Sequence, residues 1–150
     1  MGNIFNDDFR EFIQSLNDQE VDYMLVGGYS VILYGHNRTT GDMDIWVGKN
    51  ITNYHKLVSA FNQFGMPVFD MTEANFLRSE DLNVFVFGKP PVSIEILTNV
   101  TGLEFSDAFS RSVWRDVEGL KIRLINFEDL LKAKKSVGRN KDLDDIDNLS

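Results

Sequence analysis

The 150-residue sequence has no cysteine, which excludes a disulfide framework and any thiolate metal site. It has only three prolines, and no internal repeat, low-complexity tract or linker-like stretch divides it. No apolar run approaches the ~20 residues that span a bilayer. The N-terminus, MGNIFNDDFREF, lacks the basic segment and long apolar run of a secretory signal. Gly2 is followed by Asn6 where a myristoylation motif needs Ser or Thr. These absences predict a cytoplasmic protein with no membrane partner. Positive charge is also scarce. Lys and Arg number 15 against 23 Asp and Glu, giving a net charge of −8. That balance argues against non-specific nucleic-acid binding, which depends on neutralising phosphates, and leaves open a folded RNA docked on a local basic patch.

What is present fits a folded protein: 43% hydrophobic residues, 12% aromatic. One domain over residues 1–150 is the simplest expectation. Phe5, Phe9, Phe12, Ile13 and Leu16 follow helical spacing, which predicts a first helix over roughly residues 5–17 with acids in its first turn. DYMLVG is a short apolar run that ends in glycine and predicts a buried strand, followed by a helix in GYSVILYG with Gly35 near its end. GDMDIWVG predicts a second strand. Thr52 is placed to cap a helix carrying Tyr54, Leu57, Val58, Phe61 and Phe64, stopped by Gly65 and Pro67. LNVFVFG and PVSIEIL flank a hairpin connection, and SVWRDVEGLKIRLI predicts another turning at Glu118-Gly119. Asn126 opens a helix with Asp129 as a capping-box acid and Ile125 and Leu130 as a hydrophobic staple, and a last short helix carries Leu143, Ile146 and Leu149. The expected class is α/β (α+β), a small mixed β-sheet with helices packed on it.

Two aspartates interrupt the second strand. Asp42 and Asp44 are two apart and project to one face. Burying two carboxylates unpaired costs several kcal/mol or raises their pKa, and a divalent cation removes that conflict. Alone, Asp-x-Asp reads first as a strand end facing water. Two further features accompany it. Gly27-Gly28 sits at a strand-to-helix junction, where bare backbone N–H groups suit an anion, with Ser30 in the first turn. Glu95 stands inside the apolar VSIEIL, paired with a nearby cation or completing a metal-plus-base site. Lys132, Lys134, Lys135, Arg139 and Lys141 form a basic run that suits a solvated face near a helix C-terminus. Trp46 shares the face of Asp42 and Asp44, as core or as a pocket wall. His36 and His55 have no second nitrogen ligand at useful spacing.

In order, Val26-Gly27-Gly28, Asp42-Met43-Asp44-Ile45 and Ile94-Glu95-Ile96 resemble the nucleotidyltransferase (polymerase-beta-like) superfamily over about residues 20–149. RTTGDMD is similar to the Arg-x-Thr-x-Asp-x-Asp signature of its abortive-infection toxin branch. Lys134, Arg139, Lys141, Asp142 and Asp145 resemble that branch's distal motif. The segment before Asp42 is also similar to lincosamide-modifying relatives. The resemblance implies transfer of a nucleoside monophosphate from an NTP to a hydroxyl on RNA (a tRNA end), protein or a small molecule. It implies Asp42, Asp44 and Glu95 as catalytic residues holding Mg²⁺ or Mn²⁺, and Gly27, Gly28, Ser30, Arg38, Thr40 and Lys134 as contacts for the nucleotide phosphates. Many relatives carry a helical C-terminal domain that this chain ends before, so a homodimer or a cognate partner protein is expected to complete the cleft. GGYSVILYG does not match the GSxxRG of the minimal enzymes paired with a helical subunit. A non-catalytic nucleotide-binding module and a toxin of a toxin–antitoxin pair are the competing expectations.

Overall fold

In the computed structural model the described residues are 5–36, 40–78, 80–89, 92–137 and 146. Helix α1 (Asp7–Asp18) starts where the Asn6 side chain accepts the Phe9 N–H at 2.8 Å, satisfying a donor that has no partner within the helix. Strand β1 (Tyr23–Val26) runs straight into helix α2 (Gly27–Leu33), and β2 (Asp42–Val47) leads to α3 (Ile51–Phe64). A short α4 (Glu73–Arg78) precedes the hairpin of β3 (Val84–Lys89) and β4 (Val92–Leu97). Then come α5 (Phe105–Arg111), the hairpin of β5 (Val113–Val117) and β6 (Leu120–Leu124), and α6 (Phe127–Val137).

The six strands form one mixed sheet in the order β3-β4-β2-β1-β6-β5. The pairs β2–β4 and β1–β6 are parallel, and the other three are antiparallel. Hairpins at both flanks supply the antiparallel edges, and the central strands are brought together by crossovers. At the β5–β6 turn both Glu118 (φ +54°) and Gly119 (φ +87°) are left-handed, the twist that two-residue hairpins favour, and Arg10 donates to the Glu118 carbonyl at 3.0 Å.

The sheet is covered on both sides. On one face Leu25, Met43, Ile45 and Ile96 pack with Phe9, Phe12 and Phe61 of α1 and α3, where Phe12 and Phe61 meet edge to face at 5.4 Å. On the other, Met24, Val26 and Trp46 pack with Ala108, Ile125 and Leu130 in a smaller cluster. All four β1 residues are buried, so this strand has no polar face. Among the described residues no helix is long and apolar enough to cross a membrane.

Several sequence expectations change. The α3 cap is Asn50, whose side chain accepts the Asn53 N–H at 2.8 Å; Thr52 lies inside the helix. Asp129 is not a capping-box acid, because the Arg111 Nε and guanidinium NH₂ take its two oxygens at 2.9 and 3.1 Å. The Asn126 side chain instead accepts the Glu128 N–H at 2.9 Å. Helices α4 and α5 were not expected. Of the expected last helix only Ile146 is described, and it is helical.

Asn53 of α3 is buried and fastens the end of the β1–β2 pair where β1 begins and β2 finishes. Its Oδ1 accepts the Asp22 N–H at 2.8 Å, and its Nδ2 donates to the carbonyls of Gly48 at 2.8 Å and Asp22 at 3.1 Å. Asn53→Ala strands one donor, the Asp22 N–H, and one acceptor, the Gly48 carbonyl, while the Asp22 carbonyl keeps the Gly48 N–H at 3.1 Å. It is expected to destabilise the protein by about 2–4 kcal/mol in a denaturant titration. A loss below about 0.5 kcal/mol, the size of an ordinary surface change, contradicts this role for Asn53.

Candidate active site

The acids come together because β2 and β4 are parallel neighbours in a fixed register. Asp42 lies opposite Ser93, Asp44 opposite Glu95 and Trp46 opposite Leu97. Residues paired across neighbouring strands point to the same side of the sheet, so Asp42, Asp44 and Glu95 share one face. The alternate residues Met43, Ile45 and Ile96 are fully buried on the opposite face, which pins that register. The three acids are themselves half-buried.

Their electrostatics follow from this crowding. Burial is the largest influence on Asp44, lifting its pKa from 3.8 to about 8; a hydrogen bond with Glu95 and the charges of Glu95 and Asp42 push the same way. Lys134 of α6 opposes them, favouring the Asp44 carboxylate. Asp42 has its own support, since the buried Ser93 hydroxyl donates to its Oδ1 at 2.7 Å.

Gly27 closes the site from the β1 side. Its φ of +68° favours glycine, and a Cβ there would collide with the Asp44 carboxylate, reaching its Cγ at 2.8 Å. Only a bare backbone fits against that acid. Gly28 is backed by Thr40, whose Cβ, Cγ2 and Oγ1 all lie 3.1 Å from a hypothetical Gly28 Cβ. Thr40 Oγ1 in turn accepts the Asp42 N–H at 3.3 Å. Ser30 is fully buried and its hydroxyl donates to the Gly27 carbonyl at 2.6 Å, so it braces the glycine turn from beneath. Lys134 is only 7% exposed, whereas Lys132 and Lys135 are exposed. The solvated-face reading therefore holds for those two and fails for Lys134. Arg38, Arg139, Lys141, Asp142 and Asp145 lie outside the described residues.

Two residues near the site escaped the sequence reading. Ser93 stands two before Glu95, so the period of a strand puts it on the acidic face, a signal that was available. Tyr29 has a hydroxyl pKa raised by burial and then by the charge of Asp42, and nothing in its spacing announced that proximity. Trp46 is core: it is 1% exposed and edge-on to Phe105 at 5.3 Å.

Among the described residues no three His, Asp or Glu side chains are gathered as a ready-made ion cage. The donor chemistry nevertheless suits a hard divalent cation. Magnesium commonly takes one or two protein carboxylates and completes its shell with water and substrate phosphate. A cation in place of the proton shared by Asp44 and Glu95 would relieve the repulsion that raises the Asp44 pKa.

The fold recurs in solved structures of low sequence identity. A candidate nucleotidyltransferase from Thermotoga maritima, TM1012, superposes with a TM-score of 0.63 at 17% identity, covering 91% of this chain and 86% of its own. The lincosamide antibiotic adenylyltransferase LnuA, with lincomycin bound, gives 0.59 at 17% identity, covering 99% and 98%. An antigenic nucleotidyltransferase-like protein from Paracoccidioides brasiliensis gives 0.55 at 16% identity, covering 99% of this chain and 78% of that one. At these identities the likeness shows the nucleotidyltransferase fold. Among curated proteins, none matches this sequence. Residues 5–150 match the family described as nucleotidyl transferase of unknown function (DUF2204), and the chain belongs to that family.

Proposed function

We propose that this nucleotidyltransferase moves a nucleoside monophosphate from an NTP to a hydroxyl acceptor, with Asp42, Asp44 and Glu95 as its catalytic acids. The observation that carries the proposal is the lateral pairing of Asp44 with Glu95, directly against the Gly27 turn. Asp42 and Asp44 would hold Mg²⁺ or Mn²⁺, and Glu95 would either complete that set or serve as the base that takes the acceptor proton. When bound, the cation neutralises the triphosphate and the charge that develops on it. The backbone at Gly27 and Gly28 would receive the phosphates, with Lys134 beside them. Ser30, expected from the sequence as a further phosphate contact, is fully buried with its hydroxyl on the Gly27 carbonyl and would serve the phosphates through that turn. Arg38 and Thr40 belong to this reading as phosphate contacts through the Arg-x-Thr-x-Asp-x-Asp order.

The chemistry needs alignment more than covalent participation by the protein. The acceptor oxygen forms a bond to the α-phosphorus as the α–β bridging P–O bond breaks. Pyrophosphate leaves with the bond electrons, and the acceptor proton passes to the Glu95 carboxylate. The Ser93 hydroxyl holds Oδ1 of Asp42, which orients the carboxylate and leaves Oδ2 for the cation.

The reading includes ATP as one NTP, a cytoplasmic setting, one domain over residues 1–150, and kinship with the abortive-infection branch, which the Arg38-Thr40-Asp42-Asp44 order supports. Incubation with α-labelled NTPs, Mg²⁺ and cell extract tests it. Wild-type protein is expected to transfer label, and Glu95→Ala to lower transfer at least ~100-fold, the usual scale for losing a positioned base. Equal labelling by the variant removes Glu95 from the mechanism. Nucleotide binding that persists unchanged in Asp44→Ala with Mg²⁺ removes the metal assignment.

A further inference from the structure

Among the described residues strand β3 is the edge of the sheet beyond β4, and its outward face is oddly apolar. Phe85 and Phe87 point into the main core at 2% and 3% exposed. Val84 and Val86 point the other way, at 44% and 54% exposed, and Gly88, at φ +95°, adds no side chain. A strand face in water ordinarily carries polar residues. Here the outward positions 84, 86 and 88 hold no polar or charged side chain at all.

The register places this face at the site. Val86 pairs with Glu95, Val84 with Leu97 and Gly88 with Ser93. One row across the sheet reads Val86, Glu95, Asp44, Val26, and the next reads Gly88, Ser93, Asp42. Val86 is thus one strand spacing, about 5 Å, from Glu95. The opposite flank of the acids is crowded, since the Gly27 backbone abuts Asp44 and Lys134 acts on it from α6.

We propose that Val84, Val86 and the bare backbone at Gly88 form the acceptor subsite, and that the acceptor is a small hydroxyl-bearing organic molecule with an apolar, non-anionic flank. This rests on the nucleotidyl-transfer reading, which assigns the triphosphate to the Gly27 side and leaves the β3 side for the incoming hydroxyl. A nucleic-acid backbone arriving over this face meets no cation at positions 84, 86 or 88, and phosphate binding depends on such cations. A folded protein acceptor needs roughly 800 Å² of contact per partner for a stable complex. Two valines and a glycine supply far less, which suits a small molecule whose apolar flank covers them while its hydroxyl reaches Glu95.

The test resolves label from α-labelled NTPs, supplied with Mg²⁺ and cell extract, into low-molecular-mass, protein and nucleic-acid pools. Mg²⁺-dependent nucleotide affinity is measured alongside. Wild-type label is expected in the low-molecular-mass pool. Val86→Lys is expected to cut it roughly tenfold, the scale of losing one buried valine contact, with nucleotide affinity within about twofold of wild type. Val86→Thr keeps the branched shape and is expected to give a smaller, severalfold loss, so it carries the test if Val86→Lys fails to fold. Label in the nucleic-acid or protein pool overturns the proposal. So does undiminished small-molecule labelling by both variants, or no label in any pool while wild-type protein binds nucleotide. Failure of wild-type protein to bind nucleotide with Mg²⁺ strikes the transferase reading instead.

Discussion

Asp44→Asn is expected to lower nucleotidyl transfer at least ~1000-fold while making the protein more stable at pH 8. The two effects share one cause. In the folded protein burial and the neighbouring acids lift the Asp44 pKa from 3.8 to about 8, so the native state keeps a proton that the unfolded chain has released. Stability linked to this carboxyl is therefore full below about pH 4 and is lost as pH rises through about 8. Asparagine preserves the shape and removes the charge, so Tm measured without divalent cation is expected to rise by roughly 3–6 °C at pH 8, equivalent to about 1–2 kcal/mol in a domain of this size. At pH 4 the difference is expected to vanish. A variant that melts below wild type at pH 8 contradicts the origin assigned to the raised pKa. The same proton competes with the cation, so cation affinity of wild type is expected to increase with pH up to about 8, by as much as ~10-fold per unit.

Gly27→Ala carries the second large effect. Its φ of +68° strains an alanine by about 1–2 kcal/mol, and the new methyl group must also displace the Asp44 carboxylate it would strike. Displacement of a reacting group by about 1 Å costs on the order of 100-fold in rate, so transfer is expected to fall by at least that much. Gly35→Ala is the matched control. Gly35 has φ +109° with nothing within 4 Å of an added Cβ, so the backbone strain remains and the collision does not. It is expected to lower Tm while leaving nucleotide affinity intact. Equal loss of binding in both variants would trace the effect to backbone strain alone.

The acidic constellation was legible in the sequence because each acid breaks an apolar strand, and the cost of burying charge makes such breaks informative. Their convergence rests on the β2–β4 register, which the alternation of Met43, Ile45, Ile94 and Ile96 already implied for each strand separately. The glycine pair was legible for the same kind of reason, since a strand running straight into a helix needs the freedom of a glycine. What escaped depends on distant partners. Asn53 looked like an unremarkable helix residue until Asp22 and Gly48 came beside it. Asp129 has the spacing of a capping-box acid, yet Arg111, eighteen residues earlier, claims it. Asn50 and Thr52 are both competent caps, and which one serves depends on the backbone entering α3. Helices α4 and α5, six and seven residues long, are too short to display a period. Lys134 sits in a basic run that reads as solvated, and only the packing of α6 over the acidic face buries it.

Anomalous diffraction from crystals grown with Mn²⁺ and a non-hydrolysable NTP analogue locates the cation and the triphosphate together. A manganese peak bonded to Asp44, with phosphate oxygens seated on the Gly27-Gly28 backbone, is the expected result. Manganese bound away from the β2–β4 acids, or a nucleotide held on the opposite face of the sheet, would contradict it.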